Sequence, residues 1–475
     1  MTTEPAKDSP LRRLPSVESV LQAEEVRTAT ADVPRQLAVE AVRAAIGEMR
    51  SRLTEGAAGD AETEQAIRGR VVARSLEIVR DAWQPHFCRA VNATGIILHT
   101  GLGRAALPGR AIRQIAEHLA GYSMLQVDVE TGKRSRRDAR LEGMLRQLTG
   151  AEAATIVNNN AAATMIVLSA VAAGKEVIVS RGQLVEIGGS FRLPEVMAAS
   201  GARMVEVGTT NKTHLKDYER AITENTAAIL RVHPSNYKIY GFTSEVDLPD
   251  LAKLAHDRGL TLIDDVGAGA LLDFSRFGFT DQPMLADSIR QGADLVTCSA
   301  DKLIGASQAG LILGRAAMVE KVRKHPLARI LRVGKLTLAV LEATLGLFFD
   351  EAMALREVPT LAMLARPLAD IDAQAERIAA ALIAAGRAGK VEVTGGASQM
   401  GSGSLPTQDI PTRVVAVTPR GISPDDLAAR LRRWSPPVVA RIHEGRLLID
   451  PRTLLPGDEE PLLAALAACL PPATC

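Results

Sequence analysis

The side chains best suited to chemistry lie in a short segment that follows an apolar run. Residues 293–298 read Ala-Asp-Leu-Val-Thr-Cys, which predicts a buried strand, and Ser299-Ala300-Asp301-Lys302 follows directly. A second apolar run ends at Asp264-Asp265. A lysine amine forms an imine with an aldehyde, and a carboxylate stabilises a protonated pyridine nitrogen, so this combination suits pyridoxal 5'-phosphate. We therefore predict that Lys302 carries this cofactor, although S-x-x-K alone is equally compatible with a surface serine and lysine.

A second candidate element is Asn158-Asn159-Asn160-Ala161, which lies between a predicted strand and a predicted helix. Free N–H groups at the start of a helix bind phosphate when small side chains permit a close approach. Taken alone, the segment is better explained as an asparagine that caps a helix. Together with Lys302 and Asp265 it predicts a phosphate site formed by Asn159, Asn160 and Ala161, to which Ser299 could add its hydroxyl.

The elements that must position these residues alternate between strand and helix over residues 81–348. Six apolar runs read as buried strands, at residues 154–157, 176–180, 203–207, 227–232, 261–264 and 294–297. Such alternation predicts a mostly parallel sheet with helices on both faces. Ligands of these sheets bind at the carboxyl ends of the strands, where Asp265 and Lys302 fall.

Two smaller regions flank this large domain. Residues 1–80 predict a helical module with helices at 11–22, 33–53 and 62–82. Residues 349–475 predict a small C-terminal α/β domain, with strands at 391–393, 412–417, 437–442 and 446–450 and helices at 424–433 and 460–470. A large α/β domain with a late lysine and a smaller C-terminal domain predicts the aminotransferase-like architecture, fold type I of the pyridoxal-phosphate enzymes.

Composition narrows the class of protein. The 475 residues are 47% hydrophobic and 23% charged, with a net charge of +1, so nothing in the overall charge favours a polyanionic partner. The four cysteines form no C-x-x-C pair, which argues against a zinc site and suits a reducing cytoplasm. The N-terminus lacks a basic-then-apolar signal, and the longest apolar stretch, residues 161–173, is too short to span a membrane. We expect a cytoplasmic protein without a metal site.

Several motifs resemble those of the bacterial selenocysteine synthases, the L-seryl-tRNA(Sec) selenium transferases. They are Val91-Asn-Ala-Thr-Gly-Ile-Ile-Leu-His-Thr100, Ile156-Val-Asn-Asn-Asn-Ala-Ala-Ala163, Val179-Ser-Arg-Gly-Gln-Leu-Val-Glu-Ile-Gly-Gly189, Glu206-Val-Gly-Thr-Thr-Asn211, Asp301-Lys-Leu-Ile-Gly305 and His325-Pro-Leu-Ala-Arg-Ile-Leu-Arg332. The similarity runs in register from about Leu11 to Leu454.

The resemblance implies an enzyme that converts L-seryl-tRNA(Sec) to L-selenocysteinyl-tRNA(Sec), with elimination of the seryl hydroxyl and addition of selenium from selenophosphate. It implies that Lys302 binds the cofactor and removes the α-proton, and that Asp301 assists proton transfer. Arg104, Arg329, Arg332 and His99 would bind the selenium donor. Alignment with the family favours Asp265 over Asp264 as the partner of the ring nitrogen, a choice that the residues alone leave open.

The same resemblance implies that residues 1–80 bind the tRNA and that the chain forms a homo-oligomer built from dimers, in this family a ring of dimers. The helical module has a near-neutral charge. It would therefore bind the tRNA through a few arginines, such as Arg12, Arg13, Arg35 and Arg43. The cluster at residues 133–137 is compatible with tRNA phosphates, a neighbouring subunit's site or a solvated loop.

Other assignments are weaker. Glu186 and Asn236 lie after predicted strands and are expected near the cofactor, as are Gln183 and His233. Arg329 and Arg332 are three residues apart, which places them on one face if the segment is helical. The chain departs from the family at Gly101, where asparagine is usual, and at Ala268, where serine is common. The main alternative is a pyridoxal-phosphate lyase acting on a small amino acid or an amino sugar phosphate; a cofactor-sensing regulator is disfavoured because no helix-turn-helix module is apparent.

Overall fold

A computed structural model of the chain describes residues 10–55, 63–83, 85–188, 191–404 and 408–471. It contains two compact units, one ending at Arg89 and one beginning at Ala90. The predicted boundaries after residues 80 and 348 stay predictions. Within the described residues, no helix is long and apolar enough to cross a membrane.

The first unit is helical, as predicted. Its α-helices are α1 (Val17–Leu21), α2 (Glu24–Ala29), α3 (Arg35–Thr54) and α4 (Glu64–Trp83). The single helix predicted over residues 11–22 is wrong, because Pro15 lacks a backbone N–H and separates a 3-10 turn at Pro10–Arg13 from α1. Ser16 then caps α1 by accepting a hydrogen bond from the Ser19 N–H at 3.1 Å. Position 62, the predicted start of the third helix, lies outside the described residues.

The second unit contains the strands. Numbered along the chain, they are β1 (Val91–Ala93), β2 (Ala153–Val157), β3 (Glu176–Ser180), β4 (Glu186–Ile187), β5 (Phe191–Arg192), β6 (Arg203–Val207), β7 (Thr226–Val232), β8 (Thr261–Gly267), β9 (Leu295–Ser299), β10 (Gly310–Gly314), β11 (Ala388–Ser398), β12 (Ile410–Pro419), β13 (Val438–His443) and β14 (Arg446–Ile449). All six strands predicted in the large domain are confirmed, whereas β1, β4, β5 and β10 were not predicted.

The helices of the second unit connect these strands. They are α5 (Gly109–His118), α6 (Ala139–Thr149), α7 (Asn160–Ala172), α8 (Leu193–Ala199), α9 (Leu215–Ala221), α10 (Leu248–Asp257), α11 (Leu285–Arg290), α12 (Ala316–Lys324), α13 (Leu327–Ile330), α14 (Lys335–Leu347), α15 (Glu351–Glu357), α16 (Pro359–Ala365), α17 (Leu368–Ala385), α18 (Pro424–Arg433) and α19 (Glu459–Cys469). Further 3-10 turns occur at Thr100–Leu102, Arg181–Gln183, Phe274–Phe277 and Pro451–Thr453.

Seven strands form one sheet in the order β2-β10-β9-β8-β7-β3-β6. All neighbouring pairs are parallel except those of β10, which is antiparallel to β2 and β9. The mostly parallel sheet of the predicted α/β fold is therefore confirmed. The antiparallel strand returns the chain directly after the segment that carries Lys302.

The two faces of this sheet are covered by different helices. Leu230 and Ile263 share a buried cluster with residues of α7, α8 and α12, whereas Ile229 and Leu262 pack with α9 and α10. Because successive side chains of a strand point to opposite faces, neighbouring residues of β8 belong to different environments. The sheet therefore separates Asp264 from Asp265.

A second sheet of five strands, in the order β1-β13-β14-β12-β11, contains the four predicted C-terminal strands. Its core includes residues of α17, α18 and α19. The first strand, β1, pairs in parallel with β13 even though it lies more than 300 residues earlier in the chain. The C-terminal sheet is thus completed by the segment that leads to His99 and Arg104.

Candidate active site

Lys302 lies in the connection between β9 and β10, which runs over residues 300–309. The Ala300 N–H donates to Ala309 O at 2.9 Å, and the Gly305 N–H donates to Lys302 O at 3.0 Å. The lysine is only 5% exposed. Burial lowers the pKa of its amine, and the charge of Arg104 lowers it further, whereas Asp301 and Asp265 act in the opposite direction. A buried lysine with a lowered pKa is more readily neutral, which is the form that attacks an aldehyde.

Asp265 faces α7 and is held by residues of its first two turns. Asn160 Nδ2 donates to Asp265 Oδ1 at 2.8 Å, and Thr164 Oγ1 donates to Asp265 Oδ2 at 2.9 Å. The Gly267 N–H also donates to Oδ1, at 3.1 Å. Burial raises the pKa of Asp265, although these hydrogen bonds oppose the effect. A cationic group placed against this carboxylate would favour its ionised form.

Asp264 is buried on the other face of the sheet, where Arg231 donates to its Oδ1 at 2.9 Å. A cavity of about 710 Å³ on that side is lined by Arg231 and His233 but by none of Asp265, Asp301 and Lys302. The volume of this cavity therefore does not identify the site, because the titratable groups that interact with Lys302 lie elsewhere.

The turn between β2 and α7 has the form expected of a phosphate site. Asn159 caps α7 by accepting from the Ala162 N–H at 2.8 Å, which leaves Asn160 and Ala161 at the helix start. Gly310 of β10 packs beneath this turn so closely that a Cβ there would lie 2.1 Å from Asn159 O. Both readings of the segment, as a cap and as an anion site, are compatible with this geometry.

Buried polar atoms near the turn test whether a cofactor fits. Asn160 Oδ1 is buried and has no hydrogen-bond partner among the described residues. Ser299 is buried at the end of β9, beside the segment that carries Lys302. Unsatisfied buried groups cost stability unless a ligand or water completes them. These residues fit a polar ligand such as pyridoxal phosphate.

Arg104 reaches Asp301, the neighbour of Lys302. Arg104 Nη1 and Asp301 Oδ2 are 2.6 Å apart, and the Asp301 side chain is only 9% exposed. In the same loop, His99 Nδ1 is buried without a partner among the described residues. Gly101 lies against His99, since a Cβ at position 101 would be 3.3 Å from its Cε1. The glycine that departs from the family motif therefore leaves room beside the imidazole.

Arg329 and Arg332 lie in a different group. The expectation that both occupy one helical face is wrong, because α13 ends at Ile330 and Arg332 forms an isolated antiparallel bridge with Val157. They approach Arg137 instead: burial lowers the pKa of Arg137, and the charges of Arg332 and Arg329 lower it further. Three cations held together in this way attract an anion.

Arg137 was not assigned to the site from the sequence. Its guanidinium donates to Val333 O at 2.9 Å and to Gln126 Oε1 at 2.8 Å, so its position is defined. A cavity of about 220 Å³ is lined by Arg136, Arg137 and Arg332, among others. In the sequence, the dense positive cluster at residues 133–137 pointed to Arg137. It did not decide whether these residues meet tRNA phosphates, a neighbouring subunit's site or only solvent.

Glu186 and Asn236 contact each other, but neither contacts Lys302. Asn236 Nδ2 donates to the backbone oxygen of Glu186 at 2.8 Å, while the Glu186 side chain is exposed and pairs with Arg192 at 2.8 Å. Gln183 is buried and accepts a hydrogen bond from the Val232 N–H at 3.1 Å. The cofactor roles of Glu186 and Asn236 stay predictions.

The mostly parallel sheet, with a buried lysine after β9 and a buried aspartate on β8, defines a pyridoxal-phosphate enzyme of fold type I. A structure described as D-glucosaminate-6-phosphate ammonia-lyase matches 80% of this chain and 95% of its own, with a TM-score of 0.56 and 22% identity, which bears on the fold alone.

Sequence comparisons define the family more narrowly. The family model described as L-seryl-tRNA selenium transferase matches residues 90–455, and the model described as selenocysteine synthase N terminal matches residues 11–50. The L-seryl-tRNA(Sec) selenium transferase of Geobacter sulfurreducens is 45% identical over 96% of this chain and 98% of its own. That of Desulfomicrobium baculatum is 46% identical over 97% of this chain and 98% of its own. The chain belongs to the L-seryl-tRNA selenium transferase family.

Proposed function

We propose that this protein converts L-seryl-tRNA(Sec) to L-selenocysteinyl-tRNA(Sec), using selenophosphate as the selenium donor. The observation that carries the proposal is the buried Lys302, flanked by Asp301 and Arg104, in a chain that resembles selenium transferases over almost its whole length. The α-hydrogen and the β-hydroxyl of the seryl group leave as water, selenium adds to the β-carbon, and the α-carbon regains a proton. The selenium–phosphorus bond of selenophosphate breaks and water takes the phosphoryl group, so the net reaction replaces the hydroxyl by selenium and releases phosphate.

The residues around Lys302 would hold the cofactor. Lys302 would bind the aldehyde, Asp265 the ring nitrogen, and the phosphate would lie against Asn159, Asn160, Ala161 and Ser299. Pyridoxal phosphate, when bound, supplies an electron sink for the α-carbon of an amino acid. Asp265 rather than Asp264 is supported because it shares the face of α7 and acts on the charge of Lys302.

Lys302 and Asp301 would handle the protons. The buried amine, which a lowered pKa makes more readily neutral, would remove the α-proton of the seryl group. Asp301 lies next to the lysine and could accept or return a proton when the hydroxyl departs. Its carboxylate forms an ion pair with Arg104, so the contacts of Arg104 help to fix where this carboxylate stands beside the lysine.

The selenium donor requires an anion site. Arg104 and His99 provide one group, next to Lys302, while Arg329, Arg332 and Arg137 provide another. Guanidinium groups bind the oxygens of phosphate-like anions in pairs of hydrogen bonds. We propose that selenophosphate binds to these arginines and to His99.

The oligomer belongs to the same proposal. Several large apolar side chains of the second unit are strongly exposed, namely Tyr122, Met124, Val129, Tyr240, Phe242 and Ile330. Exposed apolar side chains on this scale are typical of surfaces that another chain covers. A homo-oligomer of dimers, arranged as a ring, would cover these side chains. The proposed location of this oligomer is the cytoplasm.

The most useful test incubates the purified protein with seryl-tRNA(Sec), pyridoxal phosphate and labelled selenophosphate, and then analyses the amino acid released from the tRNA. We expect labelled selenocysteine, and none with Lys302→Ala. Unmodified serine on the tRNA, together with turnover of free serine or a phosphorylated amino sugar, would instead identify a small-molecule lyase.

A further inference from the structure

The segment from Val91 to Arg104 connects the C-terminal sheet to the active site. It begins as β1, which pairs with β13, and it ends at the arginine that contacts Asp301. Much of this segment is buried, including Ala93 and Leu98, both inaccessible to solvent. Any displacement of its first half would therefore pass along a packed chain towards Arg104.

Thr453 and Asp450 hold the first half of this segment. The Thr453 hydroxyl donates to Asn92 O at 2.8 Å and accepts from the Gly95 N–H at 3.0 Å. The Asp450 N–H donates to Ala93 O at 2.9 Å. Both residues are inaccessible to solvent, so these hydrogen bonds do not compete with water.

Gly95 fits against the carboxylate of Asp450. Its φ is +75°, and a Cβ at this position would lie 2.0 Å from Asp450 Oδ2. The carboxylate is itself fixed, because Ser398 Oγ donates to Oδ2 at 2.7 Å and Thr412 Oγ1 donates to Oδ1 at 2.9 Å. The chain therefore turns at Gly95 in close contact with the carboxylate of Asp450, which its hydrogen bonds hold in place.

The second half of the segment is tied to residues that follow β11. The Ile97 N–H donates to Gln399 O at 3.0 Å, and the Leu98 N–H donates to Met400 O at 2.7 Å. Ser402 Oγ then contacts both Leu98 O, at 2.5 Å, and Thr100 Oγ1, at 3.0 Å. Residues that follow β11 thus supply partners to the second half of the segment as far as Thr100.

Arg104 is set at the end of this segment by an unusual backbone conformation. Its φ is +65°, which is uncommon for a residue other than glycine, and its N–H donates to His99 O at 3.0 Å. Such a conformation persists only where the surrounding structure enforces it. The ion pair with Asp301 thus depends on the path of the preceding residues.

We propose that Thr453 and Asp450 are positioning residues for Arg104, acting through residues 91–104. Neither residue contacts Lys302. Both fix where the guanidinium of Arg104 stands relative to Asp301 and to an incoming anion. The inference rests on the proposed function, in which Arg104 binds the selenium donor. It adds that the turn after β14 contributes to the affinity for that donor.

The test compares Thr453→Val, which removes the hydroxyl but keeps the shape, with Thr453→Ser, which keeps the hydroxyl. We expect Thr453→Val to raise the KM for selenophosphate by about 10- to 100-fold, since a misplacement of about 1 Å has effects of this size. Thr453→Ser should stay within about three-fold of the wild type. Affinity for seryl-tRNA(Sec) and the amount of cofactor attached to Lys302 should be unchanged.

Hydrogen exchange gives a readout that is independent of activity. In Thr453→Val, the amides of residues 94–104 should exchange faster, whereas those of α7 should not. Asp450→Asn removes the charge that faces Gly95 and should act in the same direction. Asp372→Asn is the matched control, because Asp372 pairs with Arg413 of the same sheet at 2.5 Å and has no contact with residues 91–104 among those described.

Three results would overturn the inference. These are an unchanged KM for selenophosphate in Thr453→Val, unchanged exchange of residues 94–104, and an equal loss of tRNA affinity and cofactor content, which would indicate general unfolding. A wild-type protein that forms no selenocysteinyl-tRNA would refute the proposed function instead, while the exchange experiment would still report whether Thr453 fixes the segment.

Discussion

Lys302 is surrounded by charges of both signs at close range, and their balance decides how easily its amine becomes neutral. Burial and Arg104 lower its pKa, whereas Asp301 and Asp265 raise it. Arg104 acts twice, because it repels the ammonium group directly and also pairs with the carboxylate of Asp301. The arginine is therefore the side chain whose removal most directly alters the protonation of the lysine.

Replacement of Arg104 by glutamine should raise the pKa of Lys302. Only the neutral amine binds the cofactor aldehyde. As the pH is lowered, the rate of covalent attachment to the apoprotein should therefore begin to fall at a higher pH than in the wild type. The measurement follows the visible absorbance of the attached cofactor against pH. Arg110→Gln, at an exposed position on α5, is the control. A profile that stays in place, or moves to lower pH, would show that Arg104 does not act on the lysine charge.

Among single residues, the sequence predicted those whose role follows from their position at the end of a strand. Lys302 and Asp265 lie where apolar strands end, so their proximity follows from the parallel sheet. Thr164 was missed although it lies four residues after Asn160 on α7, a spacing that places both on one face towards Asp265. Thr453 could not have been found, because its partners lie 358 and 361 residues away.

At the scale of elements, β10 and α7 together shape the proposed phosphate site. The strand enters directly beneath the turn that carries Asn159 and Asn160, and only a residue without a side chain fits there. An added Cβ at Gly310 would lie 2.1 Å from Asn159 O and 3.0 Å from Asn160 N. Both of these atoms belong to the backbone, so the neighbour cannot relieve the contact by rotating a side chain.

Gly310→Ala should displace the turn and weaken cofactor binding by about ten-fold or more, with a loss of roughly 1–3 kcal/mol in the free energy of unfolding from overpacking. Titration of the apoprotein with pyridoxal phosphate and denaturant unfolding give the two values. Gly143→Ala is the matched control: it lies within α6 with nothing within 4 Å of an added Cβ, and should stabilise the protein by up to about 1 kcal/mol. Equal cofactor affinity in the two variants would contradict the assignment of the turn.

The elements were predicted well where the apolar pattern is long and poorly where a contact elsewhere decides the structure. The strand β10 has only five residues, of which the first and the last are glycines, and the three-residue β1 exists because it pairs with β13. Arg332 leaves α13 to pair with Val157, which the local spacing could not reveal. Short elements of this kind depend on tertiary contacts more than on propensity.

At the scale of the whole molecule, the chain divides into two compact units with different expected tasks. The first has its own buried apolar cluster, which includes Val20, Val42 and Ile67. The second contains the seven-stranded and the five-stranded sheet, the two-stranded pair of β4 and β5, and every residue assigned to the cofactor and the selenium donor. This division suggests that binding of tRNA and binding of cofactor are separable.

Removal of residues 1–89 should therefore leave cofactor attachment to Lys302 intact and reduce affinity for seryl-tRNA(Sec) by at least about ten-fold, since phosphate contacts dominate such affinities. Filter binding or fluorescence anisotropy at fixed salt concentration measures the second value. Unchanged affinity for the tRNA would remove the role proposed for the helical module. Loss of cofactor attachment would show that the two units are not independent.

The most direct measurement of the central claim is the identity of the residue that binds the cofactor. The protein is loaded with pyridoxal phosphate, reduced with borohydride, digested and mapped by mass spectrometry, with Lys302→Ala treated in parallel. We predict a single cofactor adduct on Lys302 and none in the variant. An unmodified Lys302 in fully loaded protein, or an adduct on another lysine, would contradict the assignment of the active site.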